Sequence, residues 1–412
     1  MTGPGAEPAE VYEGPPQTRR PEPWQAGPLP WAPQQWGAGQ WAPQPWGPLA
    51  PQQWAPQQWA PQPWGPPPWG PPPWGPGAWA VPPPPVRWAP PPGTPPHDVP
   101  RSFLQAMRSR DWAWWRPLLG LLLLGVVYLA LAVATAVAGI VGLLASGTDA
   151  AALPDLALDE FTDPWLLLFL NASLIVAIPC VWMVWAVAHG MGRGWSSSVL
   201  ARLRWRLVLP YTGIALATLG VGIGLSVLVT FTVGGEQVSG PMPSFGWLLL
   251  VVLLTTPLQS AAEEYVFRGY LSQAIAGWVR APQTGAVVAA VLSAALFAAA
   301  HGPQDAWTFL DRFAFGLAAS AVVWLTGGLE AAIVLHAVNN VLVFVLAGAL
   351  GEGVATEAVP AGIGLGFAAL SLAALAAYVV AVARSRRRLH PETWTPAVDL
   401  RGPAPLQPVA AR

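Results

Sequence analysis

Charge is scarce in this chain. Of its 412 residues only 10% are Asp, Glu, Lys or Arg, against 53% that are hydrophobic, a balance typical of polytopic membrane proteins. The formal net charge is −1, so no basic excess marks a nucleic-acid surface and no nucleic-acid partner is expected. Cysteine is nearly absent: Cys180 stands alone inside an apolar run. That excludes an intrachain disulfide framework and makes the thiol a packing residue rather than a nucleophile. Met1 to Glu22 has no apolar core, so a cleavable secretory signal is not expected there.

Proline and tryptophan are concentrated at one end. From residue 1 to about 100 the chain is low in complexity, and Trp recurs largely every fifth residue from Trp31 to Trp79. Dense proline removes backbone donors and forbids a regular helix, so 1–100 is expected to be a disordered or polyproline II-like tail. Its Trp residues suit an aromatic-lined groove of an unknown partner or the lipid headgroups, although a solvated tail without a chemical role is the simpler expectation. A juxtamembrane segment follows at 101–116, where Arg108, Arg110 and Arg116 alternate with Trp112, Trp114 and Trp115 as an interfacial anchor.

Apolar runs then predict an all-α membrane domain over 117–384 with eight transmembrane helices. They fall at about 118–144, 164–188 with a kink at Pro179, 207–233, 245 into a charged motif, 285–300, a short sixth at 313–325, 329–350 and 361–383. A tail at 385–412 ends the chain. Basic residues gather before span one, between spans two and three, after span four and after span eight, where Arg384, Arg386, Arg387 and Arg388 stand together. Eight spans put all four groups on one side, which the positive-inside rule makes cytoplasmic, with both termini inside a plasma-membrane protein.

Polar residues inside apolar runs point to function. Glu263-Glu264-Tyr265-Val266-Phe267-Arg268-Gly269 puts Glu264 and Arg268 at i and i+4, where they can pair, and leaves Glu263 about 100° away around the helix. Phe297-Ala298-Ala299-Ala300-His301 ends one run in a histidine. His336-Ala337-Val338-Asn339-Asn340 sets His336 and Asn340 one helical turn apart in another. Each alone reads as an interfacial ion pair or a satisfied core histidine. Together, within about eighty residues, they are hard to explain as separate accidents. One difficulty follows from straight spans, which would leave Glu263 near one membrane face and His301 near the other, about 20 Å apart at ~1.5 Å per residue. Either span four continues past Glu263, or one of the segments 285–300 and 313–325 fails to cross.

The three motifs in this order resemble the EExxxR, FxxxH and HxxxN signatures of the CPBP intramembrane proteases, the group of type II CAAX prenyl endopeptidases and bacterial Abi proteins. The likeness covers about 245–345, and Phe313-Ala314-Phe315-Gly316 and Thr326-Gly327-Gly328-Leu329 look like that family's connecting helix and turn. The resemblance implies hydrolysis of a peptide bond in a membrane-anchored protein or peptide. Glu263 would activate water with His301 as its partner, His336 and Asn340 would stabilise the oxyanion, and Glu264 and Arg268 would position the helix through a two-pronged contact. Glu263, His301 and His336 could instead hold zinc, and metal-free glutamate chemistry is slightly preferred. The competing expectation is a scaffold, or a proton or ion relay built on the same residues. A relay needs polar groups across the whole bilayer, and spans one, two, three and eight offer little beyond Asn171.

Overall fold

A computed structural model of the protein describes residues 93–145, 147, 162–232, 240–302, 304–351 and 361–400. The low-complexity stretch 1–92 and the end of the C-terminal tail, 401–412, lie outside the described residues, as do most of the acidic loop 148–161 and the loop 233–239. Among the described residues the regular structure is helical, and one isolated bridge joins Ser198 to Gly328. Ten α-helices occur in order among these residues: α1 (Arg116–Ala145), α2 (Pro164–Ile175), α3 (Ala177–His189), α4 (Trp205–Thr232), α5 (Phe245–Val266), α6 (Ser272–Trp278), α7 (Pro282–Ala299), α8 (Ala306–Thr326), α9 (Glu330–Leu350) and α10 (Ala361–Leu389). They make eight segments long and apolar enough to cross a bilayer, because α2 and α3 form one span and α5 and α6 another. The protein is a multi-pass membrane protein. Its outward faces are apolar, as lipid contact demands: Leu122, Leu129, Leu209 and Leu254 are all exposed.

Two breaks have identifiable causes. The second span breaks at Val176, three residues before Pro179. Proline lacks the N–H that would reach the Ile175 carbonyl, and its ring crowds that carbonyl, so the discontinuity falls upstream of the residue that causes it. The fourth span contains a π-helical turn, Phe267–Leu271, and then resumes as α6 to Trp278, 34 residues from its start at Phe245. A π turn leaves backbone groups in need of partners. The Phe267 carbonyl accepts from the hydroxyls of Ser272 (2.8 Å) and Ser293 (3.0 Å), and the Gly269 carbonyl from Trp185 Nε1 (3.2 Å) and Gln273 Nε2 (3.2 Å).

The difficulty posed by straight spans resolves in favour of a long fourth span, which carries Glu263 to about the middle of the helix. Arg268 lies inside it and is fully buried. The sixth segment is not short. It begins at Ala306, where the Asp305 carboxylate caps the helix by accepting from the backbone N–H of Trp307 (2.8 Å) and Thr308 (3.1 Å), and runs for 21 residues. Asp311 and Arg312 hid its first turns from hydropathy. They face other parts of the protein rather than lipid, Asp311 accepting from Ser371 Oγ (2.6 Å) and Arg312 donating to Gln304.

Small residues let the spans approach closely. A Cβ added to Gly316 would stand 2.8 Å from that of Ala294, and one on Gly222 would stand 2.6 Å from that of Ala374. At one end of the bundle the basic segments meet. Arg116 donates to the His189 carbonyl (3.1 Å), Arg108 to Gly277 O (2.7 Å), Arg206 to Leu389 O (2.7 Å) and Trp278 Nε1 to Trp114 O (2.8 Å). All four basic groups therefore occupy one end face, as the span parity requires. Residues 93–100, assigned above to the tail, pack here too. Buried His97 bonds Ala106 O (2.6 Å), and the backbone of Val398 and Thr395 donates to His97 O (2.9 Å) and Arg101 O (2.8 Å).

Candidate active site

The charged motif ends α5 just before the π turn. Glu264 and Arg268 are wholly buried and joined by a 2.9 Å ion pair. The expected two-pronged contact is not made: Arg268 Nη1 takes Glu264 Oε1, while Nη2 donates to the carbonyl of Gly316 on α8 (3.0 Å). The fork is divided because α8 comes close enough, through Gly316, to offer an acceptor of its own. Phe297 on α7 lies under the guanidinium, with its ring centre 4.8 Å from the Arg268 carbon. Arg268 thus ties together α5, α7 and α8.

Glu264 Oε1 accepts a second bond, from His336 Nδ1 on α9 (2.9 Å). A carboxylate already bound to an arginine only accepts, so Nδ1 carries the proton and Nε2 is turned outward. Nε2 stands 3.7 Å from Glu263 Oε2. Glu263 retains 15% side-chain exposure while His336 retains 4%, so the outer carboxylate alone is open to an incoming water. Phe315 and Phe297 hold the imidazole edge-on at 5.1 and 5.7 Å. With one proton held on Nδ1, Nε2 donates only when the ring carries a second.

Sequence reasoning missed Gln259. Its Nε2 donates to Glu263 Oε1 (2.5 Å), and its Oε1 accepts from Asn340 Nδ2 (3.4 Å) and Ser260 Oγ (3.3 Å). Gln259 stands at i−4 from Glu263, and that spacing in an otherwise apolar run was a usable signal. Asn340 accordingly joins the cluster through Gln259 and not directly.

His301 lies at the margin. It follows the end of α7, is exposed, and bonds Phe297 O through Nδ1 (2.8 Å). The Phe297 ring touches both histidines, 4.9 Å from His301 and 5.7 Å from His336. Among the described residues His301 shares no hydrogen bond with the others, and no three His, Cys, Asp or Glu side chains converge closely enough to hold a metal. The set Glu263, His301 and His336 does not fit a metal in this arrangement. Asn171 is tied to Thr255 (2.7 Å) and Thr256 (3.1 Å) on α5 and does not extend the polar cluster.

Residues 244–342, which hold all three motifs, match the family described as Rce1-like, type II CAAX prenyl endopeptidase. This is the CPBP group that the motifs resemble. The chain is also 27% identical over 194 residues to the uncharacterized protein YyaK of Bacillus subtilis (strain 168). That alignment takes in 44% of this chain and 62% of YyaK, so the chain spans less than two thirds of its relative. No solved structure matches the chain.

Proposed function

We propose that this CPBP-related membrane protein is an endopeptidase that hydrolyses a peptide bond in a membrane-anchored protein or peptide, using water activated by Glu263. The observation that carries this reading is the pairing of a partly open carboxylate with a buried, oriented histidine halfway along a span. Glu263 faces His336 Nε2 at 3.7 Å while Glu264 and Arg268 hold the ring from behind. The Glu264–Arg268 pair has no structural need of a second carboxylate beside it, and placing one inside a span is costly unless it is used.

In the proposed reaction Glu263 takes a proton from water, and the resulting hydroxide attacks the scissile carbonyl. The charge that develops on the carbonyl oxygen is met by the His336 Nε2–H and by the Asn340 amide, which a small rotation frees from its 3.4 Å contact with Gln259. Collapse of the tetrahedral intermediate sends the Glu263 proton to the departing amine. His301, on the exposed side, holds the incoming water. We place the basic end face, and with it both termini, in the cytoplasm of a plasma-membrane protein.

The test is cleavage of a membrane-anchored peptide by purified protein, with Glu263→Gln as the comparison. Glu263→Gln should remain folded and lose turnover by about 10²–10⁴. Absence of cleavage by the wild type, or full activity in the variant, would sink the reading. A chelator arm checks the metal: activity lost in chelator together with one bound zinc per chain would replace glutamate chemistry with metal chemistry.

A further inference from the structure

Beyond the catalytic cluster the end face holds a second candidate site. α10 ends in Arg384, Arg386, Arg387 and Arg388, and the chain then turns sharply at His390, whose φ of +43° is left-handed. Such a conformation is unusual without glycine and needs outside support. Arg206 supplies it from the start of α4, donating to Leu389 O (2.7 Å) and His390 O (3.2 Å). The turn brings Pro391 back against the helix end and leaves an open cavity of about 530 Å³ lined by Ala383, Arg386, Arg387, His390 and Pro391.

Among the described residues the charge in this cavity has no counter-ion. The nearby carboxylate, Glu392, is engaged elsewhere, by Arg206 (2.9 Å) and Arg204 (3.5 Å). Arg386 and Arg387 are exposed and have no side-chain hydrogen bond or ion pair among the described residues. Helix-terminal carbonyls favour arginine here, yet they explain neither the enforced turn nor the cavity. The cavity also lies at headgroup depth. Lipid-facing Val380 is only six residues earlier on α10, about 9 Å along the axis, and Trp205, beside Arg206, is 73% exposed as an interfacial tryptophan would be.

We propose that the cavity formed by Arg386, Arg387 and the turn at His390 binds the phosphate of an anionic lipid headgroup. Two guanidinium forks meet phosphate oxygens in paired hydrogen bonds, and the wall of Ala383 and Pro391 accommodates the glycerol end.

The experiment uses the full chain in neutral detergent, stripped of lipid, and follows the thermal midpoint as phosphatidylglycerol, phosphatidylcholine or inorganic phosphate is added. Phosphatidylglycerol should raise the midpoint saturably, and phosphatidylcholine should not. In the double variant Arg386→Gln, Arg387→Gln the half-saturating concentration should rise at least tenfold. Arg280→Gln, which removes from an exposed position on the same end face the same single charge as either Arg386→Gln or Arg387→Gln alone, should leave it unchanged. If the double variant fails to fold, each single substitution tests the site in its place and should raise that concentration about threefold. An equal response to phosphatidylcholine, an equal loss in Arg280→Gln, or no change in the Arg386 and Arg387 variants would overturn the site. Inorganic phosphate acting at the same concentration as the lipid would overturn the lipid assignment. None of these outcomes depends on peptidase activity.

Discussion

Among the described residues two arginines are buried beside glutamates, and they are satisfied very differently. At the end face Arg204 grips Glu330 with Nε to Oε1 (2.9 Å) and Nη2 to Oε2 (2.6 Å). Its backbone N–H adds a third bond to Oε1 (2.7 Å), and Nη1 reaches Glu392 O (2.7 Å). No atom of either side chain is left over. Halfway along the fourth span, Arg268 meets Glu264 through one nitrogen only, and among the described residues Arg268 Nε and Glu264 Oε2 are buried without a hydrogen-bond partner. The first pair has the form of a structural clasp, tying the loop before α4 to the start of α9. The second keeps unused bonding capacity inside the membrane, where an unmet polar atom is most costly. That retained polar capacity adjoins Glu263, the glutamate of the cluster that stays partly open.

The largest effects should come from breaking each pair. Removing one partner of a buried ion pair strands the other, at a cost of about 3–5 kcal/mol. Arg204→Ala and Arg268→Ala should therefore both lower the unfolding midpoint, as followed by thermal denaturation in detergent. Activity per folded molecule separates them: Arg204→Ala should retain it, whereas Arg268→Ala should lose it, because His336 is oriented through Glu264. Equal activity in the two variants would erase the distinction between clasp and site.

A smaller loss is expected on α9. Asn340→Ala removes one proposed oxyanion donor, for which ~10²–10³ in turnover is the usual scale. Substrate affinity should change little, since the donor acts on charge that develops only in the transition state. A rise in KM with turnover intact would show Asn340 to be a binding group instead.

Gln259→Leu should have the least effect, about tenfold in turnover, since it deletes one hydrogen bond to a charged group worth ~1.5–3 kcal/mol in part replaced by water. Combined with Asn340→Ala the losses should be less than multiplicative, because the amides touch each other. Strictly multiplicative losses would mean that the 3.4 Å contact between them has no energetic weight.

Much of this was legible in the residues because it is local. Eight spans follow from apolar run length, and Glu264 with Arg268 follows from i and i+4 spacing, both properties of a single helix. The gathering of arginine on one end face follows from counting alternations. Gln259 was legible by the same spacing, had a neutral amide carried as much notice as a charge. The start of α8 was obscured because hydropathy weighs Asp311 and Arg312 as if they faced lipid, when each has a partner within the protein.

What remained was decided between helices. Whether the Arg268 fork closes on one carboxylate or divides depends on how near Gly316 brings α8, and no pattern along α5 contains that distance. The proton on His336 Nδ1 follows from the rotation of α9 that aims that nitrogen at Glu264. Arg204 reads in the chain as one more topogenic charge, yet it is buried because Glu330, 126 residues later, returns to the same end face. The sequence by itself determined which segments are helical and which residues share a helix face, since those depend on the 3.6-residue turn and the cost of exposing backbone to lipid. Only the tertiary structure decided which faces meet, because side chains from different spans are joined by packing and hydrogen bonds of a few ångströms that chain order does not encode.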